Sequence, residues 1–292
     1  MGAVLPGDNC RGTAIVTGAS SGIGAAVARA LARERYRTVL IARRAPLLSE
    51  VAAECERSAP SRAVAFDLSR TDEIAPLLTR VLAEEPAADG PVILVNNAGA
   101  GRYGPFLEHQ SPDFERLIRL NYLAPIECIR AVLPRMLAEG RGHVFNIGSM
   151  SSVIGCYWHP AYGPTKAALC NLTEALASEH ESSGVRFTLV LPGIIRTPYF
   201  DAPDMRLLWR SVSHRSISAE AMADAIVSAI GTRKLHLHMP RHYRALSILA
   251  ACVPSFAARL VRANSRPLPS TSGPRRGAAP VAAGVPARDA AP

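Results

Sequence analysis

Short runs of apolar and β-branched residues alternate along the chain with longer amphipathic runs. Thr13–Thr17 reads as a buried strand, and residues 22–34 carry apolar side chains at helical spacing. Residues 37–42 form a second strand run, followed by a helix that ends near Arg57. Further strand runs fall at 63–66, 92–95, 143–147, 185–191 and 235–239, separated by helix-length segments. Strands spaced in this way make βαβ units, which build a parallel sheet covered by helices on both faces. The pattern predicts an α/β protein with a doubly wound parallel sheet of about seven strands in a single domain. Its expected span is 11–241, after a leader at 1–10.

Chemistry gathers at the ends of these strands. Directly after the first stands Thr17-Gly18-Ala19-Ser20-Ser21-Gly22-Ile23-Gly24, which opens the first helix. Glycines there let backbone N–H groups approach a pyrophosphate, and the helix N-terminus adds a favourable dipole. The glycine cluster alone also suits a tight turn; its place between strand and helix favours the phosphate cradle. The end of the second strand decides which dinucleotide fits. A site for NAD places Asp or Glu there to accept from the ribose 2′-hydroxyl, whereas this chain reads Ile41-Ala42-Arg43-Arg44. Guanidinium groups at that point would hold a 2′-phosphate through charge-assisted hydrogen bonds. The predicted cofactor is NADP(H).

Tyr162-Gly163-Pro164-Thr165-Lys166 sets a phenol and an ammonium four positions apart, on one face of a helix. Pro164 suits a first helical turn, where its missing N–H costs nothing. A nearby cation favours phenolate, so Tyr162 is expected to titrate below the usual value of about 10 and to act as acid or base. Only two of the 33 basic side chains are lysines, Lys166 and Lys234, so a lysine here runs against the chain's own composition. Ser149 follows the strand at 143–147, at the end that faces the ligand crevice of a parallel sheet. Its hydroxyl is placed to polarise a carbonyl oxygen.

Over residues 12–239 the chain resembles the short-chain dehydrogenase/reductase superfamily. The resemblance rests on residues 17–24, Asp67-Leu68, Asn96-Asn97-Ala98-Gly99, Asn121, Ser149, the Tyr162/Lys166 pair, and Pro192-Gly193 followed by Thr197. It implies a Rossmann-type fold and hydride exchange between nicotinamide and a carbonyl or alcohol. In that reading Tyr162 is the general acid/base and Ser149 orients the carbonyl. Lys166 would bind the nicotinamide ribose, and Asn121 would hold a water in the proton relay. Asp67 and Leu68 would lie at the adenine, with Asn96, Ala98 and Gly99 beside the cofactor. Pro192, Gly193, Ile195 and Thr197 would hold the carboxamide end. One departure is Gly163-Pro164, which replaces the more usual small-residue pair between Tyr and Lys.

At the substrate end, residues 199–216 carry Tyr199, Phe200, Met205, Leu207, Leu208 and Trp209. These either line a site for a lipophilic ketone or 3-oxo compound or serve ordinary helix packing. Cys156, Tyr157, Trp158 and His159 are expected to form the facing wall, with His159 either an extra acid or, the favoured reading, a plain surface histidine. Residues 242–263 form an amphipathic helical segment with Leu246, Leu249, Val253, Phe256 and Leu260 on one stripe. It would serve as a membrane-surface helix, a subunit contact or a lid, packing on the body being the favoured role. Residues 264–292 are rich in Pro, Ala, Gly and Arg and are expected to be a disordered tail.

The net charge of +9 admits acidic partners, but no aromatic-basic reader motif supports nucleic acid. Six scattered cysteines, without a CxxC pair or a histidine at metal spacing, argue against zinc and for a reduced, cytoplasmic setting. A homo-oligomer, dimer or tetramer, is the expected assembly. A catalytically silent NADPH-binding regulator on the same fold is the alternative, and the intact Ser149–Tyr162–Lys166 set speaks against it.

Overall fold

The computed structural model describes residues 10–85 and 90–264. All but Cys10 of the expected leader, and all but Asn264 of the expected tail, lie outside these residues. The strands are β1 (Thr13–Thr17), β2 (Arg37–Ala42), β3 (Ser61–Ala65), β4 (Val92–Asn96), β5 (Gly142–Ile147), β6 (Val185–Pro192) and β7 (His236–Met239). They form one seven-stranded parallel sheet in the order β3-β2-β1-β4-β5-β6-β7. Every residue of β1, β4 and β5 is buried, as continuous apolar strands must be when helices cover both faces.

The helices are α1 (Gly22–Arg33), α2 (Ala45–Glu56), α3 (Ile74–Glu84), α4 (Ser111–Ile118), α5 (Ala124–Ala138), α6 (Tyr162–Glu179), α7 (Pro203–Val212), α8 (Ala219–Ser228), α9 (Tyr243–Cys252) and α10 (Pro254–Asn264). Ala28 and Leu31 of α1, Leu48 and Val51 of α2, and Met222 and Ile226 of α8 close one core against Val16 and Leu40. Leu78 and Val81 of α3 and Ile129 and Val132 of α5, with Leu176 of α6, close the other against Ile15 and Leu94. The order reverses between β1 and β4, and in such sheets ligands bind at the strands' carboxyl ends beside that reversal.

Two expectations shift. The single amphipathic stretch at 242–263 is two helices, parted at Val253 (φ −137°, ψ 67°). Pro254 disfavours helical geometry in the residue before it, which forces the break. The β3 strand begins at Ser61, two residues ahead of its apolar run, because its edge position relaxes the burial signal that sequence reading depends on. Among the described residues no helix is long and apolar enough to cross a membrane.

Candidate active site

A cavity of about 630 Å³ opens at the carboxyl ends of the strands. Its floor at the sheet reversal is the turn from β1 into α1. Gly18 (φ 65°) and Gly22 (φ 57°) adopt left-handed backbone there. A Cβ on Gly18 would stand 2.8 Å from Ala98 Cα, and one on Gly22 3.0 Å from Thr197. Thr17 fixes this turn to the chain after β4: its Oγ1 accepts from the N–H groups of Asn97 at 2.9 Å and Ala98 at 3.0 Å and donates to the Val95 carbonyl at 3.2 Å. Asn97 Nδ2 in turn donates to the Thr17 carbonyl at 2.9 Å. Bare backbone at a helix N-terminus, kept open by glycine, is an environment that accepts phosphate. The residues present therefore fit a dinucleotide.

Beside this cradle the two arginines part. Arg44 donates to Ser20 Oγ at 3.0 Å and Ser21 Oγ at 2.5 Å. Arg43 faces Asp67 at 3.9 Å and is 67% exposed. Asp67 Oδ1 also accepts from the backbone and hydroxyl of Ser69 at 3.0 and 2.9 Å. Burial works on this carboxyl against the Ser69 bonds and the two neighbouring guanidiniums, and the net effect holds its pKa below the usual carboxylate value. No carboxylate stands at the end of β2, where residues 42–44 read Ala-Arg-Arg.

At the other end of the cavity, Tyr162 opens α6. Burial pushes its phenol up to about 12, opposed by the hydroxyls of Ser149 and Tyr199 beside it. The downward shift expected from Lys166 is therefore corrected. The Lys166 ammonium lies 6.0 Å from the phenol ring centre and donates to the Ile147 carbonyl at 2.7 Å. Burial lowers its own pKa to about 8, and desolvation of the phenol outweighs what charge it supplies. Ser149 extends from the end of β5, with its Oγ accepting from the Ser151 N–H at 3.1 Å. Asn121 is fully buried in a π-turn, Arg119–Leu123, a feature that recurs at functional sites. Its Nδ2 donates to the Ala100 carbonyl at 2.9 Å and Thr165 Oγ1 at 3.1 Å, and its Oδ1 accepts from the Ala100 N–H at 2.9 Å. Gly99 leaves the space between them open, since a Cβ there would lie 3.2 Å from Asn121 Oδ1 and 3.5 Å from Lys166 Nζ.

Most of the anticipated cofactor residues line this one cavity: Gly18, Ser20, Ser21, Gly22 and Ile23 at the cradle, Asp67, Leu68, Ala98 and Gly99 along the wall, and Pro192, Gly193, Ile195 and Thr197 at the far end. Gly24 lies beneath the cradle, where a Cβ would meet Gly18 O at 2.5 Å. Asn96 does not line the cavity either. It is buried in the sheet, with its Nδ2 donating to Asn146 Oδ1 at 2.9 Å; strand alternation turns Asn97, not Asn96, toward the cavity.

The substrate end is apolar and aromatic. Tyr103, Phe200 and Met205 are buried together with Trp158, Ile194, Tyr199, Leu208 and Trp209 against them. His159 is buried rather than on the surface, and that burial lowers its pKa to about 4. It packs 5.0 Å from the Tyr103 ring and 5.6 Å from Tyr162. Tyr199 is the residue whose chemistry sequence reading missed. It appeared there only as apolar lining, yet its hydroxyl, buried without a well-formed hydrogen bond, lies close enough to Tyr162 to affect its ionisation. Tyr243 and Leu246 of α9 and Leu260 and Val261 of α10 complete the wall.

A glycine-opened helix N-terminus at the sheet reversal and a half-buried phenol with a serine and a lysine at the far end make an arrangement that can hold a dinucleotide and move a proton. The sequence model of the short chain dehydrogenases matches residues 12–204, and the chain belongs to that family. Ketoacyl reductase HetN of a Nostoc species is 30% identical over 223 residues, covering 75% of this chain and 75% of that protein. Among solved structures, a short-chain dehydrogenase from Sphingobium yanoikuyae in complex with NADPH is similar over 90% of this chain and 99% of its own, with a TM-score of 0.71 and 30% identity. A bulky-bulky ketone specific alcohol dehydrogenase from Comamonas testosteroni matches over 83% of this chain and 93% of its own, with a TM-score of 0.68 and 28% identity. The protein is an oxidoreductase that acts on small molecules, built on a nicotinamide-binding Rossmann-type fold.

Proposed function

We propose that the protein is an NADP(H)-dependent oxidoreductase that interconverts a lipophilic ketone or 3-oxo compound and its secondary alcohol. The observation that carries this reading is the half-buried Tyr162 phenol on the cavity wall, flanked by the Ser149 hydroxyl, where an apolar aromatic pocket meets a cradle fit for phosphate. Bound NADPH would supply the hydride. Tyr162 then delivers the proton to the carbonyl oxygen, and a phenol held near 12 is fully protonated, hence loaded as an acid, throughout the neutral range. Ser149 donates a hydrogen bond to the same oxygen and stabilises charge as it develops. Lys166, anchored on the Ile147 carbonyl, is placed to hold ribose hydroxyls, and Asn121 keeps the chain at Ala100 fixed against α6 through Thr165.

The choice of NADP(H) rests on Arg43 and Arg44, with Ser20, at a strand end that lacks a carboxylate. A preference for bulky apolar ketones rests on Tyr103, Trp158, Phe200, Met205 and Trp209. Such a preference is in keeping with the ketone specificity stated for the Comamonas enzyme and the ketoacyl reductase activity stated for the Nostoc protein. The test is NADPH oxidation by the purified full chain against aryl and alkyl ketones, aldehydes, 3-oxo esters and polar ketoses. Turnover should rise with apolar size among the ketones; turnover of polar ketoses alone overturns the substrate class.

A further inference from the structure

Two residues of α6 beyond Lys166 meet a residue of the edge strand in a way the catalytic site does not use. Cys170 and Glu174 stand one helical turn apart, and β7 brings His236 against them. The Cys170 thiol donates to Glu174 Oε1 at 3.6 Å, and His236 Nε2 reaches the same oxygen at 2.8 Å. The thiol sulfur, a carboxylate oxygen and an imidazole nitrogen all lie within 4.8 Å of one another. None of the three residues lines the nicotinamide cavity. They border a second cavity of about 780 Å³, whose wall also includes His238, Arg244 and Ser247.

We propose that Cys170, Glu174 and His236 bind one divalent zinc-type cation, with the fourth position open to the second cavity. Tetrahedral zinc takes sulfur at about 2.3 Å and nitrogen or oxygen at about 2.0–2.2 Å, which sets its ligand atoms roughly 3.3–3.8 Å apart. The Cys170–Glu174 spacing already falls in that range, Glu174–His236 is shorter, and drawing the trio onto a cation takes shifts on the order of 1 Å. One thiolate, one carboxylate and one imidazole form a mixed set that suits zinc rather than magnesium or calcium, which prefer oxygen alone. On binding, the sulfur–metal bond replaces the S–H bond, and the thiol proton leaves to solvent. The cation would pin β7, the edge strand, to the helix that carries Tyr162 and Lys166. Sequence spacing hid the group because His236 stands 62 residues after Glu174.

Cobalt(II) titration of the chelator-treated full chain tests this. The expected result is one equivalent bound per chain, a thiolate-to-cobalt charge-transfer band in the near ultraviolet, and loss of that band when Zn²⁺ is added. Cys170→Ser should abolish the band, and His236→Gln should weaken the affinity by about tenfold or more. NADPH affinity should be unchanged in both variants, which shows that they are folded and that the catalytic site is intact. No band in the wild-type chain overturns the proposal, leaving an ordinary His–Glu pair. So does a band of equal strength in Cys170→Ser, which would place the metal on another cysteine.

Discussion

Arg44→Ala is the perturbation that bears most directly on cofactor choice. Its guanidinium is held over the phosphate cradle by Ser20 and Ser21 at 3.0 and 2.5 Å, while Arg43 stands across from it against Asp67. A hydrogen bond to a charged partner contributes about 1.5–3 kcal/mol. Both arginines are exposed, so solvent screening places each in the lower half of that range, about 1.5–2 kcal/mol. At about 1.4 kcal/mol per factor of ten, Arg44→Ala should raise the Kd for NADPH about 10- to 30-fold. NADH lacks the 2′-phosphate, so its Kd should not move. Arg43→Ala should act in the same direction. The preference of the wild-type chain should also shrink from low salt to 1 M salt, where the screening length falls to about 3 Å. Fluorescence titration of both nucleotides against the three proteins measures all of this. If each single variant keeps the full NADPH preference, the arginines do not read the 2′-phosphate and the reasoning fails.

Two further outcomes follow from buried chemistry and from the C-terminal helices. His143 is buried on β5, its Nδ1 accepting from the Gly231 N–H at 3.1 Å and its Nε2 meeting Thr188 Oγ1 at 2.8 Å; burial, then Arg186, lowers its pKa to about 3. A folded-state pKa below the unfolded value of about 6.5 means that stability is fully present above pH 6.5 and is lost as pH falls toward 3, by about 2 kcal/mol at pH 5. Urea unfolding at pH 7 and pH 5 should show that much less acid sensitivity in His143→Gln, and equal sensitivity refutes the assignment. A chain ending at Pro240 loses Tyr243, Leu246, Leu260 and Val261 from the cavity wall. With NADPH affinity retained, its KM for an apolar ketone should rise about tenfold, and its recovery with anionic vesicles on flotation should equal that of the full chain. A loss of vesicle binding on truncation would instead make α9 and α10 a membrane contact.

The sheet is legible because its central strands are apolar on both faces: the pattern delimits β1 and β2 to the residue, and β4, β5 and β6 to within one. The Ser149, Tyr162 and Lys166 set was legible because strand ends and helical spacing are local features. Contacts made across the fold were not. The approach of Tyr199 to Tyr162 depends on where the loop after β6 lands, and no spacing rule reports it. The ionisation of Tyr162 came out with the opposite sign because spacing shows the nearby ammonium but not the burial of the phenol. His159 was misplaced on the surface for the same reason, its burial arising from Tyr103, which lies 56 residues away. Asn96 and Asn97 are neighbours in sequence, and only the pleat at the end of β4 shows which of them faces the cavity.

The central claim is that Tyr162 gives the proton. Tyr162→Phe keeps the ring and its packing and removes only the hydroxyl, so a paired measurement of NADPH Kd and of turnover on the best ketone isolates that role. The account predicts an NADPH Kd close to that of the wild-type chain and turnover lower by at least about 10²-fold, the contribution of a positioned general acid. Retention of more than about a tenth of wild-type turnover would contradict it.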